Sequence, residues 1–277
     1  MLITGGSGYL GRWVADLARV DWDVTATYTS KPGDLANVMW QQLDVRDGDA
    51  VAALVGEIEP QVIVHTAALN PGQGNDYETV NVAGTANVAN AAAATGAWLI
   101  HISTDMVFDG QRGSYSEQDS PNPLTEYGRS KALAEEAVVA SGAGSAIVRT
   151  SLIYGWRPTI ARAAQWMLDA LERGEIVRLW ADEMRCPIWV ESLAAAIVEL
   201  SGLDHSGPIH IAGRQAMSRY DFGVALLNFH GNDRGPVFAT SSPREQLRPR
   251  DCTLNCTLAS RLLTTPLPGV DEVLGAR

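Results

Sequence analysis

The residues of this chain best equipped for chemistry are Thr104, Tyr127 and Lys131. The run Tyr127-Gly128-Arg129-Ser130-Lys131 sets a phenol and an ammonium four positions apart, which on a helix puts both on one face. A tyrosine exchanges protons near neutrality only when its pKa falls well below the free value of about 10, and a nearby ammonium favours the phenolate. Lys131 is expected to tune Tyr127 and to keep donors in hand for a ribose. Ser103-Thr104-Asp105 closes an apolar run, and a hydroxyl at the C-terminal end of a buried strand stands where open α/β sheets take their ligands. Thr104 is expected to bind a substrate oxygen and turn it toward Tyr127.

A second group of residues suits a dinucleotide. Thr4-Gly5-Gly6-Ser7-Gly8-Tyr9-Leu10-Gly11 spaces glycines at 5, 8 and 11 between a strand and a helix. Gly5 permits a tight turn, Gly8 lets backbone N–H groups approach a pyrophosphate, and Gly11 lets the helix pack closely on the sheet. The helix N-terminus faces the phosphates with partial positive charge. Gly5, Ser7, Gly8, Tyr9, Leu10, Gly11 and Arg12 are the contacts expected here. A site for NAD usually presents an acid to the adenosine ribose at the end of the second strand, but this one ends in Tyr28-Thr29-Ser30-Lys31. Thr29, Ser30, Lys31 and Arg12 suit a 2′-phosphate, so NADP(H) is preferred, with NAD(H) left open. Asp44 and Val45 are placed at the adenine. Thr66, Ala67 and Ala68 are placed at the nicotinamide ribose, with Ser103, Tyr127 and Lys131 completing the cofactor set. Asn81 reads as a buried structural amide.

Positioning these groups requires an alternation of elements. Strands are expected at Met1–Thr4, Val24–Tyr28, Met39–Leu43, Val62–His65, Trp98–Ser103 and Ala146–Thr150. Helices are expected near Leu10–Arg19, Asp47–Ile58, Tyr77–Thr95 and Tyr127–Ser141, with Gly96 and Gly142 as stops. Continuous apolar strands imply a parallel sheet covered on both faces. The fold class is α/β, a doubly wound parallel (Rossmann) sheet with a smaller C-terminal substrate-binding subdomain. Residues 1–150 form the NADP(H)-binding domain, to which the chain returns at about 187–212, and 151–277 are mainly the subdomain. There, helices are expected near Ile160–Arg173 and Val190–Ser201 and a strand at Ile209–Ala212, while Arg214–Pro268 reads as loops and short helices.

Bulk properties narrow the function. The chain has 277 residues, 46% hydrophobic and 19% charged, with a net charge of −11. That balance argues against nucleic acid or an anionic membrane as partner. The uncharged stretch Thr79–Thr104 carries Asn81, Gly84, Asn87, Asn90 and Gly96, and reads as a buried helix running into a buried strand. Cys186, Cys252 and Cys256 form a sparse, odd set that fits a reducing cytoplasm. No signal peptide is expected, and no metal, because no His/Cys/Asp set has ligand spacing.

Together the glycine loop GGSGYLG, the run STDMVFDG (Ser103–Gly110), Tyr115 with Glu117 and Asp119, the YGRSK helix and RPRD (Arg248–Asp251) carry a resemblance that covers nearly the whole chain. The chain resembles the extended short-chain dehydrogenase/reductase family, and within it the dTDP-4-dehydrorhamnose reductase group. It is also similar to the related NADP(H)-binding regulatory subunit of methionine adenosyltransferase. The resemblance implies hydride transfer to a keto sugar carbon, with Tyr127 as proton donor, Thr104 as oxygen binder and Lys131 as tuner and ribose clamp. In that group the position of Met106 is usually Tyr and that of Leu152 usually Trp, both at the sugar pocket, so the particular substrate stays open. Dehydratases carry an acid where Met106 stands, which disfavours dehydration.

Asp105, Met106, Trp156, Arg185 and Arg248 are the further substrate contacts expected, the guanidiniums for a diphosphate. Arg250, Trp180 and Trp189 are secondary candidates. The leading expectation is NADPH-dependent reduction of a 4-keto sugar nucleotide, and a homodimer is compatible with it. The alternatives are a nucleotide-sugar epimerase using NAD, and a non-catalytic NADP(H)-binding regulatory subunit.

Overall fold

The computed structural model describes residues 1–231, 236–243 and 247–275. A strand, β1 (Leu2–Thr4), opens the chain, followed by α1 (Tyr9–Ala18), β2 (Val24–Tyr28), β3 (Val38–Gln42), α2 (Gly48–Ile58) and β4 (Val62–His65). A wide π-helical turn at Glu78–Ala83 leads into α3 (Gly84–Thr95), and β5 (Trp98–Thr104), α4 (Glu126–Ser141) and β6 (Ser145–Thr150) follow. These strands join a late one at Gly207–His210 in a seven-stranded sheet, ordered Gly207–His210, β6, β5, β4, β1, β2, β3. β1 pairs in parallel with both β2 and β4, so the strand order reverses direction there. Such a reversal opens a crevice at the strand ends, where doubly wound sheets take ligands. This is the Rossmann-like α/β architecture anticipated from the apolar runs.

Two compact units divide the chain. Unit 1 contains residues 1–104, 126–149 and 194–209; unit 2 contains 105–125, 150–193 and 210–277. Contacts thus assign 105–125 to the second unit, although these residues lie inside the first 150. The core of unit 1 packs Leu2, Ile63, Val88, Leu99 and Ile147 with the apolar face of α2. The uncharged stretch Thr79–Thr104 is the π turn, α3 and β5, and Gly96 caps α3 at φ 73°. Among the described residues no helix is long and apolar enough to cross a membrane.

Unit 2 departs from expectation. Arg219–Phe229 is a full helix, capped by Ser218, whose hydroxyl accepts from Asp221 N. Val237–Thr240 is a strand pairing in parallel with Val177–Trp180. Both lie in the stretch read as loops and short helices. The helix sequence RYDFGVALLNF shows no clean apolar stripe, and the strand is defined by a partner some sixty positions away. The expected strand Ile209–Ala212 sits two residues earlier, at Gly207–His210. The unit's core joins Tyr154, Met167, Leu179, Phe222, Leu226 and Val270.

Candidate functional site

The glycine loop is shaped by contacts that leave no room for side chains. Gly5 has φ +69°, and a Cβ there would stand 2.7 Å from the backbone of Ala67. A Cβ on Gly11 would meet Gly5 O at 2.4 Å and Thr66 Oγ1 at 2.7 Å. Gly11 therefore lets α1 approach the loops themselves, where the sequence reading had placed it against the sheet. Gly8 N donates to Gly5 O at 2.9 Å, closing the turn. No side chain caps α1, and no acid lies in its first turn; α2, by contrast, is capped by Asp47. An uncapped helix start at a backbone cradle fits the phosphates of a dinucleotide. Thr66 Oγ1 donates to Thr4 O at 2.7 Å, so Thr66 and Ala67 brace the loop from β4.

At the end of β2, Thr29, Ser30 and Lys31 are exposed. Arg12 is not free beside them: its guanidinium pairs with Asp34 at 2.9 Å. The Arg12 guanidinium holds the Asp34 carboxyl below the usual carboxylate range. Asp34 is an acid near this corner that the sequence reading did not weigh, because it lies past the strand end. Asp44 pairs with Arg46 at 2.5 Å. Val45 is buried, its carbonyl held by Asn87 Nδ2 at 2.9 Å.

The residues read as catalytic lie on adjoining elements of unit 1. Thr104 ends β5 and is nearly buried at 8% exposure. Tyr127 and Lys131 lie one turn apart on α4. The Tyr127 hydroxyl donates to Asn70 Oδ1 at 3.4 Å, and its ring meets Tyr77 edge-on at 5.9 Å. Lys131 is buried, its Nζ 3.3 Å from Nε2 of His101 on β5. Burial lowers the Lys131 pKa to about 8, against the pull of Glu135. His101 stacks on His65 at 5.4 Å, and His65 is held by Thr4 Oγ1 (2.6 Å) and Thr85 Oγ1 (3.0 Å). Ser103 is committed elsewhere: its hydroxyl donates to Glu135 at 2.5 Å, and Glu135 grips Arg149 at 2.7 Å. Asn81 acts as the structural amide expected, bonding Leu69 N (2.7 Å), Leu69 O (3.1 Å) and Ser130 Oγ (3.0 Å). This ties the loop after β4 to α4 between Tyr127 and Lys131.

In unit 2 the expected substrate residues divide. Arg185 is 2% exposed, and its guanidinium donates to Met184 O (2.7 Å), Arg250 O (3.1 Å) and Pro249 O (2.9 Å). With its donors spent on the chain, its geometry is structural, contrary to the diphosphate contact expected. Asp105 likewise accepts from Ser151 Oγ at 2.6 Å and is buried, so its carboxylate is engaged within the chain. Met106 Sδ lies 3.6 Å from Arg185 Nη2. Arg248 pairs with Glu183 at 2.6 Å and stacks on Trp180 at 4.0 Å. Trp156 stacks on Trp189 (6.0 Å) and Phe229 (4.5 Å), lining with Ile160 and His230 an open recess of about 390 Å³. The three cysteines are free thiols.

A family model described as the RmlD substrate binding domain matches residues 1–276. The chain belongs to that family. It is an extended short-chain dehydrogenase/reductase of the dTDP-4-dehydrorhamnose reductase-like group, an NAD(P)-dependent oxidoreductase class. Among relatives, methionine adenosyltransferase 2 subunit beta of Rattus norvegicus is 31% identical over 93% of this chain and 80% of its own. The probable low-salt glycan biosynthesis reductase Agl14 of Haloferax volcanii is 30% identical over 99% of this chain and 95% of its own. In structure, the dTDP-4-dehydrorhamnose reductase of Bacillus anthracis in complex with NADP superposes with a TM-score of 0.82, at 26% identity, covering 99% and 96% of the two chains.

Within this RmlD-type chain, sequence reasoning overlooked Asn70, His101, Asp34 and Glu183. His101 carries no local signal, since three residues before Thr104 on a strand it falls on the opposite face, and only the packing of α4 on β5 brings it to Lys131. Glu183 carries no local signal: a glutamate in an irregular stretch reads as solvated until three-dimensional neighbours enclose it.

Proposed function

We propose that this chain reduces the carbonyl of a keto sugar nucleotide, a 4-keto sugar for preference, with NADPH as reductant. One arrangement supports the reading most: Tyr127 and Lys131 one turn apart on α4, with Lys131 anchored to β5 through His101, three residues before Thr104. The residues fit a dinucleotide, because Gly5 and Gly11 let the turn pack against Ala67 and Thr66 without side chains and leave the start of α1 uncapped and free of acids. The exposed Thr29, Ser30 and Lys31, and Arg12 where it releases Asp34, are assigned to a 2′-phosphate. When bound, the nicotinamide supplies the hydride. Thr104 holds the carbonyl oxygen through its hydroxyl, and Tyr127 donates a proton from Oη to that oxygen. Lys131, as the ammonium, lowers the cost of the phenolate left behind. Trp156 and Arg248 are assigned to the nucleotide sugar.

The experiment is NADPH oxidation against a panel of keto sugar nucleotides. Tyr127→Phe is expected to lose at least about a hundredfold in turnover, with NADPH affinity nearly unchanged. Near-normal turnover in that variant ends the mechanistic reading. A second reading, a cofactor-binding regulatory subunit, is favoured by the likeness to the methionine adenosyltransferase subunit over 93% of this chain. Tight NADPH binding with silence across the whole panel would select it.

A further inference from the structure

Unit 2 holds a partly buried charge cluster whose charges do not cancel among the described residues. The short strand Met184–Arg185 lies between Met217–Ser218, with which it pairs antiparallel, and Arg250–Cys252, joined through Met184 N to Arg250 O (2.6 Å) and Cys252 N to Met184 O (3.2 Å). This gathers Glu183, Arg185, Arg219 and Arg248. Glu183, fully buried, takes Arg248 at 2.6 Å and Arg185 at 3.6 Å. Asp105 takes Arg185 at 3.7 Å. Arg248 and Arg219 stack on Trp180, at 4.0 and 5.6 Å.

The charged groups acting on Arg219 are Glu183, Arg185, Arg248 and Asp105. Among the described residues three guanidiniums therefore face two carboxylates, and Arg219 is the cation in excess. Among the described residues its guanidinium has neither a carboxylate at ion-pair distance nor a hydrogen-bond acceptor, while its backbone N–H bonds Glu183 O at 2.9 Å. Burial pushes its pKa down. Its place as first residue of the helix Arg219–Phe229 adds to the cost, because a helix start disfavours positive charge. It lines a cavity of about 50 Å³ with Leu152, Trp166, Met167, Leu179 and Phe222, none of which offers a counter-charge. A half-buried cation without a counter-ion among the described residues is costly in proportion to the solvent it loses, and a planar fork with free donors is suited to an oxyanion.

We propose that Arg219 is an anion-binding residue, whose guanidinium receives an oxyanion of the ligand, either a diphosphate or a sugar carboxylate, at this cavity. The inference rests on the sugar-nucleotide reading only for which molecule brings the anion. It also makes the position one where stability is given up for binding, since a neutral residue would relieve the excess charge.

Calorimetric titration of the full chain with inorganic pyrophosphate, UDP and free glucuronate, for wild type, Arg219→Met and Arg219→Lys, tests this directly. Wild type is expected to bind at least one of these anions, and R219M to bind it at least about tenfold more weakly while its melting temperature without ligand does not fall. Loss confined to pyrophosphate and UDP identifies the diphosphate as source; loss confined to glucuronate identifies the carboxylate. Should R219M not fold, R219K keeps the charge without the fork and is expected to weaken binding; binding equal to wild type overturns the proposal. Unchanged affinity in R219M, no binding of any of the three by wild type, or a lowered melting temperature of ligand-free R219M overturns it as well. None of these readouts needs turnover. Loss of anion binding in R219M therefore upholds the inference even in a protein that reduces no keto sugar, and unchanged KM in an active R219M sinks it while leaving the reductase reading in place.

Discussion

At the scale of the residue, His65, His101 and Lys131 are buried side chains whose protonation is shifted first by burial. His65 is pushed from its ordinary 6.5 to about 3, first by burial and then by Lys131. His101 is lowered by the same two causes and by His65. Both stay neutral in the fold while an unfolded chain would take up protons below pH 6.5, so folding stability falls as pH drops from 6.5 toward 3. Thermal melts at pH 5 and pH 8 should therefore differ more for wild type than for His101→Phe, which removes one of the two histidines; equal differences would show that His101 is not held neutral. For Lys131, lowered from 10.5 to about 8, the unfolded chain holds the proton longer, so stability gains as pH rises from 8 toward 10.5. Lys131→Met should flatten that alkaline rise in the same melts. The one-turn spacing of Tyr127 and Lys131 is readable along the chain and gains meaning only beside Thr104 and the glycine loop, whereas His101 meets Lys131 only because β5 and α4 pack together.

At the scale of the element, the loop from β1 to α1 separates binding from folding. Gly5→Ala forces a side chain into φ +69° and against Ala67 backbone at 2.7 Å, so NADPH affinity should drop more than about tenfold, with stability reduced by about 1–2 kcal/mol or more. Asp47→Ala removes the α2 cap and should lower stability by about 1 kcal/mol with NADPH affinity unchanged. Fluorescence titration beside thermal melts reads both variants, and a G5A protein binding NADPH normally would remove the loop from the cofactor site. β2 and β4 fall at the residues the sequence indicates, Val24–Tyr28 and Val62–His65, because short runs rich in β-branched residues between turn residues admit few alternatives. The helix Arg219–Phe229 and the strand Val237–Thr240 escaped that logic: the first is apolar around too much of its circumference, and the second draws its hydrogen bonds from a distant partner.

At the scale of the whole molecule, the proposed cofactor contacts all belong to unit 1. NADPH at about a hundred times its Kd should add about 2.7 kcal/mol of stability, and the resulting rise in melting temperature should exceed that given by NADH at equal concentration. Lys31→Ala should narrow the gap; an unaltered gap would move the 2′-phosphate away from this corner. Hydrogen exchange should show NADPH protection concentrated in residues 1–104, 126–149 and 194–209, the segments of unit 1. What the sequence determined by itself was everything local: the apolar runs that become strands, the glycines whose φ and clearance shape a turn, and the one-turn spacing of phenol and ammonium. What only the tertiary structure decided was which charges meet. Arg185 and Arg248 are engaged with backbone carbonyls and Glu183, while Arg219, without distinguishing context along the chain, has no carboxylate at ion-pair distance among the described residues. The physical reason is that a hydrogen bond or ion pair depends on separation in space, and the segments that bring these residues together hold positions 105, 183, 219 and 248, whose proximity no local pattern encodes.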